Sequence, residues 1–422
     1  MRSNRLTLYI VIGLVLGVVV GWLFHASSPQ HAERFADIAS LLPTAFLRLI
    51  KMIIAPLVFS TLVVGIAKMG DIATVGRVGG RALAWFIFAS LISLTLGLVL
   101  VGLLEPGKAM HLSPPEATAA SGIEAAGLTM QSFITHLIPT SALDAMSRNE
   151  ILQIVVFSLF FGTAMAAMRE RAQGVIDVLD AVSHIMLKVT GYVMFFAPLA
   201  VFGALASMVA KEGLDIIRVY GLLVGEFYLG IVLLWGVLIG LGLLILGPSV
   251  FRLIRRLREP TLLAFSTASS EAAYPKTLEE LERFGVSNRI ASFVLPVGYS
   301  FNLDGSMMYC TFAVMFIAQV YGIEISIGQQ IVMVAILMLT SKGMAGVPRA
   351  SLVVIAATLA QFNIPEAGLL LLLGIDHFLD MGRSATNVIG NSVATAVVAK
   401  WEGELSRTDD VSAVGAAARE GA

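Results

Sequence analysis

Six runs without a single Asp, Glu, Lys or Arg constrain this chain more than anything else in it: residues 6–24, 52–67, 82–104, 151–168, 189–210 and 227–251. A helix needs about 20 apolar residues to cross a bilayer core, and runs of this length and number have no place in a water-soluble fold. The second extends upstream to about Ala36, with Arg48 and Lys51 inside a long tilted helix. Charged residues make up only 14% of the 422, against roughly 25% in a soluble domain, so lipid must cover much of the surface. The net charge of −1 averages opposite loop charges and decides nothing, no nucleic-acid partner is expected, and a lone cysteine, Cys310, excludes an intrachain disulfide. The first run lacks a small-residue cleavage site and reads as an uncleaved span.

Orientation follows from the Lys/Arg bias. Arg2 and Arg5 precede the first run; Lys68, Arg77 and Arg81 follow the second; Arg169 and Arg171 follow the fourth; Arg252, Arg255, Arg256 and Arg258 follow the sixth. These places share one side, the cytoplasmic one, and the acidic, Pro- and Ala-rich segment 105–149 lies opposite. The expected setting is a bacterial inner membrane with both termini inside. Residues 406–422 read as a disordered tail.

Beyond Arg258 the pattern changes. Residues 259–285 form two arms too short to cross, around a small polar tip at 266–270. Residues 290–323 are apolar but broken by Asn302, Asp304 and Gly305. Two further arms, 325–341 and 350–365, flank a segment containing Gly343, Gly346 and Pro348. At 1.5 Å per residue such arms span roughly 24 Å of a ~30 Å core. Parity would also allow two full spans. Freed backbone groups at the glycines and proline cannot face lipid, which favours re-entrant hairpins. Two hairpins, each followed by a long helix, are a sequence pointer to a transporter site.

The last helix carries the chemistry. Asp376, Asp380, Arg383, Ser384, Asn387 and Asn391 fall within about 100° of one another on a helix. Each charge at membrane depth costs roughly 2.5–3.5 kcal/mol. A structural Asp380–Arg383 pair would offset part of that, but two asparagines on the same stripe point to a solute. Asp380 suits an ammonium group and Arg383 a carboxylate held by parallel hydrogen bonds. Ser384 and Asn387 can orient the remaining groups, and Ser269 and Ser270 at the first tip can meet a second carboxylate. Asn302 and Asp304, beside unwound carbonyls, make a hard-oxygen cation site; the bland reading is a surface turn. The six histidines lack metal-ligand spacing, and Glu226 reads as an acid paired with a basic residue or, second, as one lining the cavity.

These residues carry a resemblance. DHFLDMGRSATNVIGN (376–391) resembles the last-helix signature of the dicarboxylate/amino acid:cation symporters, the glutamate transporter family. NLDGS (302–306), TASS (267–270) and AGVP (345–348) resemble its broken-helix motif and its two hairpin tips, in the same order. The resemblance covers nearly the whole chain and is nearest to bacterial proton/glutamate symporters. It implies an all-α integral membrane protein of eight transmembrane helices and two re-entrant hairpins in an inverted repeat, assembled as a homotrimer. It implies one transporter unit over 1–405, with scaffold spans within 6–70 and 128–212. A transport domain of 75–104 and 216–403, including hairpins 250–285 and 325–366, would slide as an elevator.

By motif match the substrate would meet Asp380, Arg383, Ser384, Asn387, Ser269, Ser270, Ser306, Gly346, Val347 and Pro348. The cation would meet Asn302, Asp304, Asn387, Asn391 and Ser90. Dicarboxylate members lack an acid at the Asp380 position, which favours glutamate or aspartate over succinate or malate. Asn391 stands where sodium-coupled relatives have aspartate, which favours protons over sodium, with Glu271, Asp304 and His377 as carriers. Arg349 stands where relatives have a small residue. No cofactor or metal beyond a transported Na+ is implied. An intramembrane aspartyl protease built on Asp304 and Asp380 is the competing class. Arg383 argues against it, because a neighbouring cation opposes a shared proton. A channel or sensor is the third.

Overall fold

The computed structural model describes residues 3–27, 29–69, 72–109, 114–116, 137–213, 216–341 and 350–406. Among these the chain is helical, with no strand beyond an isolated bridge between Val286 and Leu405. Helices of ten residues or more are numbered in chain order. The first seven are α1 (Ser3–Ser27), α2 (Pro29–Ala39), α3 (Leu41–Met69), α4 (Ile72–Leu104), α5 (Ile151–Met168), α6 (Gln173–Val193) and α7 (Ala197–Glu212). Then follow α8 (Ile216–Leu246), α9 (Arg258–Thr267), α10 (Ser270–Phe284), α11 (Asn288–Phe301) and α12 (Asp304–Val320). The last are α13 (Ile327–Thr340), α14 (Ala350–Gln361) and α15 (Asp376–Glu402).

Seven stretches among the described residues are long and apolar enough to cross a membrane: Leu8–Ser27, Gln30–Lys68, Ala73–Ala109, Ile151–Met168, Glu170–Lys211, Tyr220–Leu246 and Asn288–Val320. The polar α15, 27 residues long, is a further long helix. The protein is therefore an all-α, multi-pass membrane protein.

Where the observed helices depart from the uncharged runs, a physical reason is visible. α4 begins at Ile72, well before residue 82, because Arg77 and Arg81 are neutralised by Glu402 at 3.1 and 2.8 Å. α8 stops at Leu246, before residue 251, at Gly247, whose φ of 65° is left-handed. Ser249–Arg256 is then a separate short helix, followed by α9 from Arg258. The long second helix bends at Ser40, where Pro43, in the first turn of α3, cannot donate a backbone hydrogen bond. The expected span 189–210 belongs to a longer path through α6 and α7, joined by a 3-10 turn at Met194–Phe196.

Both hairpins have arms too short to cross. Those of the first, α9 and α10, pack on each other and on α15. Lys276 on α10 ties them by reaching Glu259 of α9 at 3.8 Å as well as Glu279 and Glu280 at 2.8 and 3.4 Å. Those of the second, α13 and α14, also pack together. They divide by burial: Leu352, Ile355 and Leu359 of α14 are buried, whereas Ile327, Ile331 and Leu339 of α13 are exposed. The second tip, with Gly346, Val347, Pro348 and Arg349, lies outside the described residues, as does the tail from 407 onward.

α1 packs along α7 on a glycine stripe. A Cβ at Gly13, Gly17 or Gly21 would come within 2.5, 2.7 and 2.7 Å of the carbonyl oxygens of Pro198, Phe202 and Ala206. Small residues let helix backbones approach this closely in lipid. Gly17→Leu is expected to destabilise the protein by about 1–3 kcal/mol through overpacking, read as a lowered melting temperature in detergent. An unchanged melting temperature would show that the contact is dispensable.

Candidate functional site

The site is built where α15 crosses the break between α11 and α12. α11 ends at Phe301, and Asn302 and Leu303 leave the helical conformation (φ −129°, ψ 63° and φ −95°, ψ 66°) before α12 restarts at Asp304. Two glycines let α15 and the broken helix meet almost backbone to backbone. A Cβ at Gly305 would lie 2.5 Å from the Arg383 carbonyl oxygen, and one at Gly390 would lie 2.0 Å from Asp304 Oδ2. From the other flank, Trp235 Nε1 of α8 donates to Thr386 Oγ1 at 2.8 Å, and Tyr228 donates its hydroxyl to the Phe378 carbonyl at 2.7 Å. These bonds fix the rotation of α15.

Arg383 is the centre of the upper layer. It is 2% exposed, and its Nη2 lies 3.1 Å from both Asp376 Oδ1 and Asp380 Oδ1. The guanidinium lies over the Tyr309 ring, 4.1 Å from its centroid, and Tyr309 donates its hydroxyl to Asp376 Oδ1 at 3.2 Å. A desolvated cation over an aromatic face gains up to about 2 kcal/mol. Nε and Nη1 remain buried with no partner among the described residues. A buried unsatisfied donor costs roughly 1–3 kcal/mol, and more on a charged group, so these donors invite an anionic oxygen. The two aspartates differ in access: the Asp376 side chain is 6% exposed and that of Asp380 is 34% exposed. Asp376 is fixed in place; Asp380 can face a solute. Ser384 is buried in the same turn.

A second layer lies one turn along α15. Asn387 accepts from the Gly305 N–H at 3.0 Å and donates to Ser306 Oγ at 3.3 Å. Below it, Asn302 Nδ2 donates to Asp304 Oδ2 at 3.0 Å and to Asn391 Oδ1 at 3.3 Å. Ser93 of α4 donates to Asp304 Oδ1 at 3.3 Å. The Asn302 Oδ1 acceptor is buried without a partner among the described residues. An acid, two amide oxygens and a hydroxyl buried together are a hard-oxygen set suited to a small cation or a proton.

Eight of the sequence-predicted residues are thus brought together: Asp380, Arg383, Ser384, Asn387, Ser306, Asn302, Asp304 and Asn391. Ser90 is buried on α4, one turn from Ser93, which donates to Asp304. Ser269 caps α10 by accepting from the Ala272 N–H at 3.2 Å, after Ala268 turns the tip at φ 48°. Ser270 and Glu271 open α10 half-buried, and His377 is exposed on α15. Glu226 keeps Oε2 buried without a partner among the described residues. Sequence reasoning missed Tyr309 and gave Asp376 no role of its own. The signal for Asp376 was present, since it lies seven residues, two helical turns, before Arg383 on one face. Nothing in the sequence tied Tyr309 to it.

A model of the Sodium:dicarboxylate symporter family matches residues 6–401. The chain is 38% identical over 415 residues to the C4-dicarboxylate transport protein of Bacillus subtilis (strain 168), covering 97% of each chain. It is 39% identical over 411 residues to the proton/sodium-glutamate symport protein of Geobacillus stearothermophilus, covering 96% of each. A C4-dicarboxylate transport protein of Anaeromyxobacter sp. (strain K) is 40% identical over 414 residues, with 96% of this chain and 91% of that one covered.

Proposed function

This chain belongs to the sodium:dicarboxylate symporter family, and on that premise we propose that it takes up the acidic amino acids L-glutamate and L-aspartate together with protons. The observation that carries the choice of substrate is the pairing of a partly exposed Asp380 with an Arg383 two of whose buried donors have no partner among the described residues. The Arg383 donors receive the side-chain carboxylate. Asp380 turns from Arg383 to the ammonium group, so one helical turn reads both charges. Asn387, Ser384 and Ser306 orient the polar groups beside them, and Ser269, Ser270 and the second tip (Gly346, Val347, Pro348) close over the α-carboxylate. Asp304 with Asn302, Asn391, Ser90 and Ser93 holds the coupled cation. An amide at Asn391 withholds the charge that a sodium ion would use, and Glu271, Asp304 and His377 are the candidate proton carriers. The working unit is a homotrimer in the bacterial inner membrane. The hairpins, α4, α8, α11, α12 and α15 move as one body against α1–α3 and α5–α7.

The relatives that carry dicarboxylates give a second reading, uptake of succinate, malate or fumarate. One experiment separates them: labelled glutamate and labelled succinate are offered to proteoliposomes under a proton gradient and, separately, a sodium gradient. Glutamate uptake driven by protons alone is the expected result. Sodium dependence would overturn the reading of Asn391, and succinate uptake without glutamate uptake would overturn that of Asp380. Asp380→Asn is expected to raise the glutamate KM by about 30-fold or more, the scale of removing one partner from a buried charge pair. An unchanged KM would detach Asp380 from the ammonium group.

A further inference from the structure

Cations near the membrane surfaces of this protein are mostly given acidic partners. Lys68 has Asp180 at 2.8 Å, Lys108 has Glu105 at 2.7 Å, Lys211 has Asp37 at 2.8 Å, and Arg77 and Arg81 share Glu402. Arg48 and Lys51 are different. Both lie within Gln30–Lys68, the stretch long and apolar enough to cross a membrane, and both are exposed. Neither has an ion pair or hydrogen bond with any described residue.

Their surroundings are specific. On α3, Leu41, Ala45, Arg48, Lys51 and Met52 are all exposed and fall within about 120° of one another. The cations therefore share a strip with apolar side chains, Leu41 and Met52 being 63% and 56% exposed. The water boundary at this end is marked by α2, with Glu33, Arg34 and Asp37, the last paired to Lys211 at the end of α7. At 1.5 Å per residue Arg48 and Lys51 lie roughly 10 and 15 Å below the start of α3. Helical side chains lean toward the N-terminus, which on α3 is toward that boundary, so long cationic side chains can snorkel to headgroup level. A charge left unpartnered at this depth costs a few kcal/mol.

We propose that Arg48 and Lys51 form a binding site for the phosphate of an anionic phospholipid, with an acyl chain of that lipid lying along Leu41, Ala45 and Met52. Paired cations match the phosphate, and the apolar strip matches a lipid chain better than a small hydrophilic solute. The site is independent of which solute the protein carries.

The test uses the full chain purified in detergent and titrated with phosphatidylglycerol, with retained lipid read by native mass spectrometry. Wild type, Arg48→Gln/Lys51→Gln and the charge-conserving Arg48→Lys/Lys51→Arg are compared. At about 1 kcal/mol for each basic residue near a lipid surface, the neutral variant is expected to retain the lipid about 30-fold more weakly. The charge-conserving variant should retain it as wild type does, and phosphatidylcholine should bind all three alike. Circular dichroism of the neutral variant checks that it is folded; should it fail to fold, each single substitution is measured in its place. Equal phosphatidylglycerol retention in wild type and the neutral variants would overturn the proposal. So would unchanged retention accompanied by a raised KM for the transported solute, which would assign the cations to steering that solute.

Discussion

Exchanging Arg383 for lysine is expected to lower uptake at limiting substrate by at least about 100-fold, with the protein still folded. Lysine keeps the positive charge between Asp376 and Asp380, so neither acid is left in a buried site without a cation. It removes the planar fork that offers parallel donors to a carboxylate, and the flat face that lies 4.1 Å above Tyr309. Loss of one partner of a buried, hydrogen-bonded charge pair costs roughly 2–5 kcal/mol, which sets the scale. The check is initial-rate uptake into proteoliposomes, with a thermal unfolding curve on the same preparation. A lysine variant with near-wild-type KM would mean that the buried Nε and Nη1 are not the anion receptor.

The second large effect is expected at Gly390. A Cβ there would stand 2.0 Å from Asp304 Oδ2, and Asp304 is itself fully buried and held by Ser93 and Asn302. The atom in the way is the end of the Asp304 side chain, so Gly390→Ala must turn that carboxylate out of its cluster or push α15 off the broken helix. Overpacking of this kind costs about 1–3 kcal/mol. Cation-coupled uptake should fall by more than that loss of stability accounts for. Gly225→Ala is the control, since a Cβ there meets nothing within 4 Å. Removing a helical glycine stabilises by up to about 1 kcal/mol. Coupled transport that survives Gly390→Ala with its pH and sodium responses unchanged would remove Asp304 from the cation site.

What could be read without the structure was what a helix imposes locally. The stripe from Asp376 to Asn391 follows from helical periodicity, and the break at Asn302–Asp304 follows from a glycine and polar residues inside an apolar run. Both are seen in α15 and in the α11–α12 junction. What stayed hidden depended on partners far along the chain. Arg77 and Arg81 bound an uncharged run in the sequence, which does not show that Glu402 neutralises them within α4. The bond from Ser93 to Asp304 joins residues 211 positions apart, and no local pattern displays it. Tyr309 went unnoticed because an aromatic residue in an apolar helix looks the same whether it stacks on a leucine or on a guanidinium.

The junction between Val286 and Leu405 carries a practical consequence. Ser406 donates its N–H to the Gly285 carbonyl at 2.9 Å and Ser287 donates to the Glu404 carbonyl at 3.1 Å, while Arg289 pairs with Glu404. The chain beyond α15 is thereby stitched to the base of the first hairpin. A fluorophore attached just past Ser406 would report on that hairpin and α15, and one at the start of α1 on the α1–α7 packing. If the proposed two-body motion occurs, energy transfer between the two labels will change when the solute is added; a constant signal would count against that motion.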